Sequence, residues 1–176
     1  MGHTGPFSRE YYYKYFERKF VKKEPQIPLT TEEVKLLNDM DDALSSIKTK
    51  YWIYGLAGPL FHSIIHTLVC DLKKPKSGLT YKGKKYVKYT YEEWEETLAM
   101  AHSQHTIRSH IQRLEKMGFL QSCQIEPYCR RKWYHLNAQK LKELVIDKDE
   151  TLIATVESFF ARKKKGSKAS QKETNV

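Results

Sequence analysis

The stretch SQHTIRSHIQRLEKMGFL, from Ser103 to Leu120, limits the fold more than any other part of the chain. Ser103 offers a hydroxyl suited to capping a helix start. At about 100° per residue, Ile107, Ile111 and Leu114 fall on one arc, with His110 and Met117 at its edge. His105, Ser109, Gln112 and Lys116 lie opposite, flanked by Arg108 and Arg113. Gly118 is placed to stop the helix in a left-handed conformation. The spacing predicts an amphipathic helix over residues 103–117, with one side on a core and a polar stripe on the other.

What surrounds this helix narrows the fold further. After it, FLQSCQI reads as a strand, EPYCRR as a turn and KWYHL as the returning strand. Before it, Thr90 caps a short helix, YEEWEETLA, with Trp94 and Leu98 facing in. LTYKGKKYVKYT is rich in Tyr, Val and Thr around a glycine, which predicts a strand or hairpin. Upstream, Thr30 and Glu33 form a capping-box signature. The helix they open is expected to run to about Ile47, with Val34, Leu37, Met40, Leu44 and Ile47 along one side. Gly55 and Gly58-Pro59 then punctuate the chain, and a second helix buries Leu60, Phe61, Ile64, Ile65, Leu68 and Val69.

The ends read differently. Residues 10–23 form an expected short helix with Tyr12, Phe16 and Phe20 stacked on one side, broken by the prolines of EPQIPLT. NAQKLKELVI is expected to be a helix capped by Asn137, and residues 149–163 another, with Leu152, Ile153, Val156, Phe159 and Phe160 as its apolar side. From Arg162 onward there is almost nothing to bury, so disorder is expected. The resulting division is an extension over 1–29, a main domain with a leading helix over 30–148, a C-terminal helix over 149–161 that is a candidate for dimerisation, and a basic tail over 162–176.

Charge indicates the class of partner. The 176 residues carry a formal net charge of +10, which favours a polyanion, nucleic acid before acidic lipid. Half of that excess lies in residues 161–176, with six basic residues and one acid, and residues 73–90 hold seven lysines and no acid. Three cysteines, Cys70, Cys123 and Cys129, are too few and odd for a disulfide scaffold and fit a reducing compartment. No basic segment followed by an apolar run opens the chain, and Leu56 to Leu72 is interrupted by Pro59, His62, His66 and Asp71. A cytoplasmic protein without a membrane span is expected.

Two helices joined by a tight turn, followed by a β-hairpin, define a winged helix-turn-helix. The expected fold is therefore mainly α with a small β-hairpin, an α+β class, with extra N- and C-terminal helices. In that architecture the second helix of the pair enters the major groove, whose width accepts an α-helix, and a basic wing reaches neighbouring phosphates. Here the pair is 91–99 and 103–117, and the wing is the hairpin around Glu126–Lys132.

The run YVKYTYEEWEETLAMAHSQHTIRSHIQRLEKMGFLQS, followed by RRKWYHLN, resembles the winged-helix domain of replication-initiator and replication-associated proteins of bacterial plasmids and phages. The resemblance spans about residues 56–141 and takes in LAGPLFHSIIHTLVCDL, the YEEW helix, Ser-x-x-Thr-Ile-Arg, the LEKMGFL end and the KWY strand. The Thr-Ile-Arg and Leu-Glu-Lys-x-Gly pieces recur across winged helices, transcription regulators included; YEEW and KWY lean toward replication proteins. Two departures stand out: Ser109-His110 occupies positions where further Arg or Lys is common, and residues 1–50 match nothing in the group. The resemblance implies double-stranded DNA binding in replication or its control. Transcription regulation by the same fold is the alternative, and a protein-interaction winged helix a further one.

The candidate DNA-binding residues are Ser103, Gln104, His105, Arg108, Ser109, Gln112, Arg113 and Lys116 on the helix and Arg130, Arg131 and Lys132 in the wing. Arg108 lies in the first turns, where a guanidinium reaches guanine O6 and N7. Gln104, Ser109 and Gln112 suit adenine or phosphate. The positive end of the helix dipole disfavours a proton on His105, which suits a neutral donor-acceptor role. The wing cations, with Lys82, Lys84, Lys85 and Lys88 on the preceding strands, suit phosphate, although strand alternation keeps these lysines from sharing one face.

His62, His66 and Cys70 recur at i, i+4, i+8, but the outer two lie about 12 Å apart along a helix, so only adjacent ones can share an ion. Core-flanking polar residues are the commoner meaning, and no metal is expected. No P-loop, G-x-S-x-G or H-E-x-x-H motif is present, and HSIIH has the wrong spacing for a rolling-circle nickase. No catalysis, cofactor or small-molecule ligand is expected. The helices at 30–47 and 149–163 are candidates for a homodimer interface.

Overall fold

The computed structural model describes residues 26–125 and 130–161. The expectations for the aromatic N-terminal segment, for the wing tip with Cys129 and for the basic tail lie outside the described residues.

Three helices lead the fold: α1 (Thr31–Ser45), α2 (Ile47–Leu56) and α3 (Pro59–Lys73). Thr30 caps α1 through the capping box with Glu33, and Leu37, Met40 and Leu44 of α1 are buried. The apolar stripe ends at Leu44. Ser46 is extended, at φ −66° and ψ 131°, and a new helix starts there, which turns Ile47 outward to 71% exposure. Gly55 does not punctuate the chain but lies inside α2. The break falls at Gly58 (φ 94°), with Pro59 opening α3. α3 is the central helix, burying Leu60, Phe61, Ile64, Ile65, Leu68, Val69 and Leu72 among its neighbours.

A hairpin follows, β1 (Leu79–Tyr81) and β2 (Lys84–Tyr89). Tyr81 faces Lys84, leaving Lys82 (φ 49°) and Gly83 (φ 74°) as a two-residue turn. Two successive positive φ values are what a type I′ turn needs, and that turn matches the strand twist. Next come α4 (Tyr91–Thr97), α5 (Gln104–Lys116), β3 (Leu120–Cys123) and β4 (Lys132–Leu136). β4 pairs antiparallel with both β2 and β3, giving one four-stranded sheet in the order β1-β2-β4-β3. The result is a mainly helical α+β fold whose α4, α5 and β3–β4 units follow the winged helix-turn-helix order, with seven helices among the described residues.

The chain closes with α6 (Ala138–Val145), capped by Asn137, and α7 (Glu150–Phe160), capped by Asp149. α1 packs on α3 and α6, and α7 packs on α2 and α6. Val156 is fully buried in the common core, and the Phe160 ring meets Phe61 edge-on at 5.7 Å. Of the apolar sides expected to form a dimer interface, Leu37, Met40, Leu44 and Val156 are buried in this chain's own core, whereas Val34 and Ile47 are exposed.

Candidate nucleic-acid interface

Trp94 anchors the helix pair. It is fully buried, stacks on Tyr89 of β2 at 4.2 Å and meets Tyr134 of β4 edge-on at 5.9 Å. Burial of one large ring fixes α4 to the sheet. Trp133 is buried too, with the Lys88 ammonium 5.4 Å from its ring centroid. The link from α4 to α5 runs through Ala99 (φ 55°) and Met100 (φ 57°), both left-handed and neither glycine. Ser103 then caps α5, accepting from the Thr106 N–H at 3.3 Å.

On α5 the buried arc is Ile107, Ile111 and Leu114, and Met117 joins it. Ser103, His105, Arg108, Gln112 and Lys116 are exposed, while Gln104 and Ser109 are half-buried. Arg108 lies over the Tyr91 ring, 4.7 Å from its centroid, and Gln104 donates to Glu95 at 3.0 Å. A groove of about 460 Å³ forms between α5 and the wing, lined by Tyr91, Glu92, Gln104, Arg108, Gln124, Arg130 and Lys132. It gathers two candidate helix residues and two candidate wing residues at one place.

Other candidates stand apart from it. Arg113 is half-buried on the far flank of α5, its guanidinium 5.1 Å from the Phe160 ring of α7. His110 lies beside the same ring at 5.3 Å, and burial lowers its pKa. The two wing arginines differ. Arg130 is 77% exposed and pairs with Glu92 at 3.6 Å, whereas Arg131 is 18% exposed and pairs with Glu93, the capping-box residue of α4, at 3.6 Å. Lys85 is also committed elsewhere: its ammonium donates to the Leu72 and Lys74 carbonyls at the C-terminal end of α3, at 2.9 and 2.5 Å, and burial lowers its pKa. Such capping uses the charge where the helix dipole is negative. Lys84 donates to Gln121 at 3.1 Å, and Lys82 lies 5.3 Å from the Tyr81 ring centroid.

Sequence reasoning missed the acidic side of this groove. Glu92, Glu93 and Glu95 of α4 hold Arg130, Arg131 and Gln104 respectively. The run YEEWEET carried that signal, because a helix with one buried tryptophan leaves its glutamates on the exposed sides. Tyr91, which supports Arg108, follows the Thr90 cap directly, so its place is set by the start of α4. Ser122 on β3 donates to Glu115 of α5, which ties the strand to the helix.

Among the described residues no helix is long and apolar enough to cross a membrane. In comparisons with known proteins, no family model, no curated protein and no solved structure matches this chain.

Proposed function

We propose that the chain binds double-stranded DNA with sequence preference through α5 and the wing, acting in plasmid- or phage-type replication initiation or its control in the cytoplasm. The observation that carries this reading is the groove that brings Gln104, Arg108, Arg130 and Lys132 together beside the exposed stripe of His105, Gln112 and Lys116. A stripe of this kind on a helix backed by Trp94 and the sheet suits insertion into a major groove. Arg108 supplies base contact, and Tyr91 stacks beneath it to limit its rotamers before any duplex arrives. Arg130, Lys132 and Lys116 neutralise phosphate and release counterions, which adds affinity without sequence information. Glu92 holds Arg130 in the free protein, and exposed pairs of this sort are worth about 0–1 kcal/mol, so exchange for a phosphate costs little.

The replication role rests on the resemblance over residues 56–141; transcription regulation uses the same contacts and is the second reading. A third reading, docking of a protein partner, draws on Glu92, Glu93 and Glu95, since three carboxylates beside the groove suit a basic peptide as well as they oppose a polyanion. Pairing of two copies, which sets recognition helices about 34 Å apart on a palindrome, belongs to the proposal and draws on what α7 leaves half-buried, Leu152 and Ile153.

Selection of bound duplexes from a random pool tests the proposal. A defined consensus is expected, and Arg108→Ala should cost about 1–3 kcal/mol on it and relax preference at one base pair. Equal weakening on every sequence removes the base contact, and no retention of any duplex at low salt removes DNA binding.

A further inference from the structure

Away from the groove, α1 and α3 bring three metal-ligating side chains to one point. Asp41 Oδ1 lies 3.5 Å from His66 Nε2 and 3.6 Å from Cys70 Sγ. Cys70 Sγ lies 3.9 Å from both ring nitrogens of His66. The three donor atoms lie within 4.8 Å of one another, and all three residues are half-buried. His66 and Cys70 are one helical turn apart on α3, and Asp41 reaches them from α1, 29 residues away in sequence from Cys70.

These separations can be compared with a coordination polyhedron. Zinc bonds of about 2.0 Å to carboxylate oxygen, 2.05 Å to imidazole nitrogen and 2.3 Å to thiolate sulfur, set at tetrahedral angles, give edges of about 3.3 Å for O–N, 3.5 Å for O–S and 3.6 Å for N–S. The observed edges exceed these by only a few tenths of an ångström. Cys70 Sγ is equidistant from the two ring nitrogens of His66, and Nε2 is the one that faces Asp41 Oδ1. His62, the other histidine of the i, i+4, i+8 run, takes no part: it is buried, with Nε2 at 2.8 Å from the Leu44 carbonyl.

We propose that Asp41, His66 and Cys70 form a three-ligand site for a borderline divalent cation of the Zn²⁺ class, clasping α1 to α3. Three protein ligands leave the fourth position to water, and His66 borders an open groove with Ser63, Thr67 and His102. Lys73 orients the carboxylate: its ammonium sits 2.6 Å from Asp41 Oδ2, which leaves Oδ1 turned toward sulfur and imidazole. Outer-shell partners of this sort hold a ligand in the geometry the ion needs. Oxygen, imidazole and thiolate together select zinc or cobalt over magnesium and calcium, which take oxygen alone. A cysteine ligates as thiolate, so the Cys70 thiol gives up its proton as the ion binds. Binding therefore releases a proton and weakens as pH falls. The proposal is independent of DNA binding.

The experiment is a titration of the full chain, reduced and freed of metal by chelator, with Co²⁺ as a spectroscopic probe and Zn²⁺ as competitor. We expect one equivalent of cobalt, a thiolate-to-cobalt charge-transfer absorption, displacement by zinc and a higher Tm with either ion. Cys70→Ser should abolish the charge-transfer band, and Asp41→Asn or His66→Gln should weaken cobalt binding at least about tenfold. A double Cys123→Ser, Cys129→Ser variant should keep the band. Absence of the band in the wild-type chain overturns the site, as does a band that survives Cys70→Ser or disappears with Cys123 and Cys129. His66→Gln, on a side chain bordering an open groove, reads the same loss if Cys70→Ser fails to fold, and unchanged cobalt affinity in His66→Gln also overturns the site.

Discussion

Replacing Arg130 and Arg131 by alanine, one at a time, should separate two roles that the sequence presents as identical. Arg130 is 77% exposed and, among the described residues, is held by an exposed pair to Glu92, so its removal should change stability by no more than about 0.5 kcal/mol. Under the proposed function its effect falls on DNA binding instead. Each phosphate contact contributes about −0.9 to the slope of log K against log salt. Over a fourfold rise in salt, from about 50 to 200 mM, one contact therefore changes the affinity ratio by about 3.5-fold. Arg130→Ala should flatten the slope by about that single contact, weakening binding more at low salt than at high. Arg131 is only 18% exposed and braces Glu93, whose carboxylate also accepts from the Thr90 N–H at 2.7 Å. Arg131→Ala strips packed methylenes and an ion pair from the start of α4, and should cost about 1–2 kcal/mol of stability. Its salt slope should stay near wild type. Fluorescence anisotropy on a fixed duplex across salt, with urea unfolding of each variant, reads both quantities. Equal slopes for Arg130→Ala and wild type, or a stability loss larger in Arg130→Ala than in Arg131→Ala, would refute the assignment.

Gly78→Ala should destabilise the fold strongly, because a Cβ there meets the Tyr86 carbonyl oxygen at 2.3 Å and φ is +81°. A cost above about 2 kcal/mol is expected by chemical denaturation, and a wild-type midpoint would show that the hairpin shifts freely. Acid should weaken the protein through His62, His110 and His135, whose pKa values are lowered chiefly by burial. The unfolded chain then binds protons first, so stability is intact above the ordinary value of 6.5 and is lost as pH falls below it toward the lower folded values. Urea midpoints that stay flat from neutral pH down through that range would contradict it.

Local signals carried most of the fold. Thr30, Thr90, Ser103 and Asn137 all cap the helices they were expected to start. The period of Ile107, Ile111 and Leu114 placed α5 correctly on the core, because burial of that arc depends on spacing alone. Ile47 failed because an apolar period says nothing about Ser46 leaving the helical region, and the chain turned before the stripe was complete. The candidate site was legible only in part. Arg113 and Lys85 look like free cations in sequence, yet Phe160 and the carbonyl end of α3 take them up through contacts between distant segments. Arg130 and Arg131 are adjacent and chemically identical, and only the packing of the wing against α4 distinguishes them. Asp41 joins His66 and Cys70 across two helices, a meeting that periodicity along one helix does not encode.

The left-handed residues Ala99 and Met100 have a mechanical consequence. Each carries a Cβ in a conformation that costs about 1–2 kcal/mol, sustained because Trp94 on one side and Ile107 on the other are packed to completion. A hinge built that way has no soft direction: opening or closing the angle between the two helices would unseat a fully packed side chain on either arm. Under the proposed function, a duplex docked on this pair would have to supply the accommodation itself, which would favour targets that bend readily.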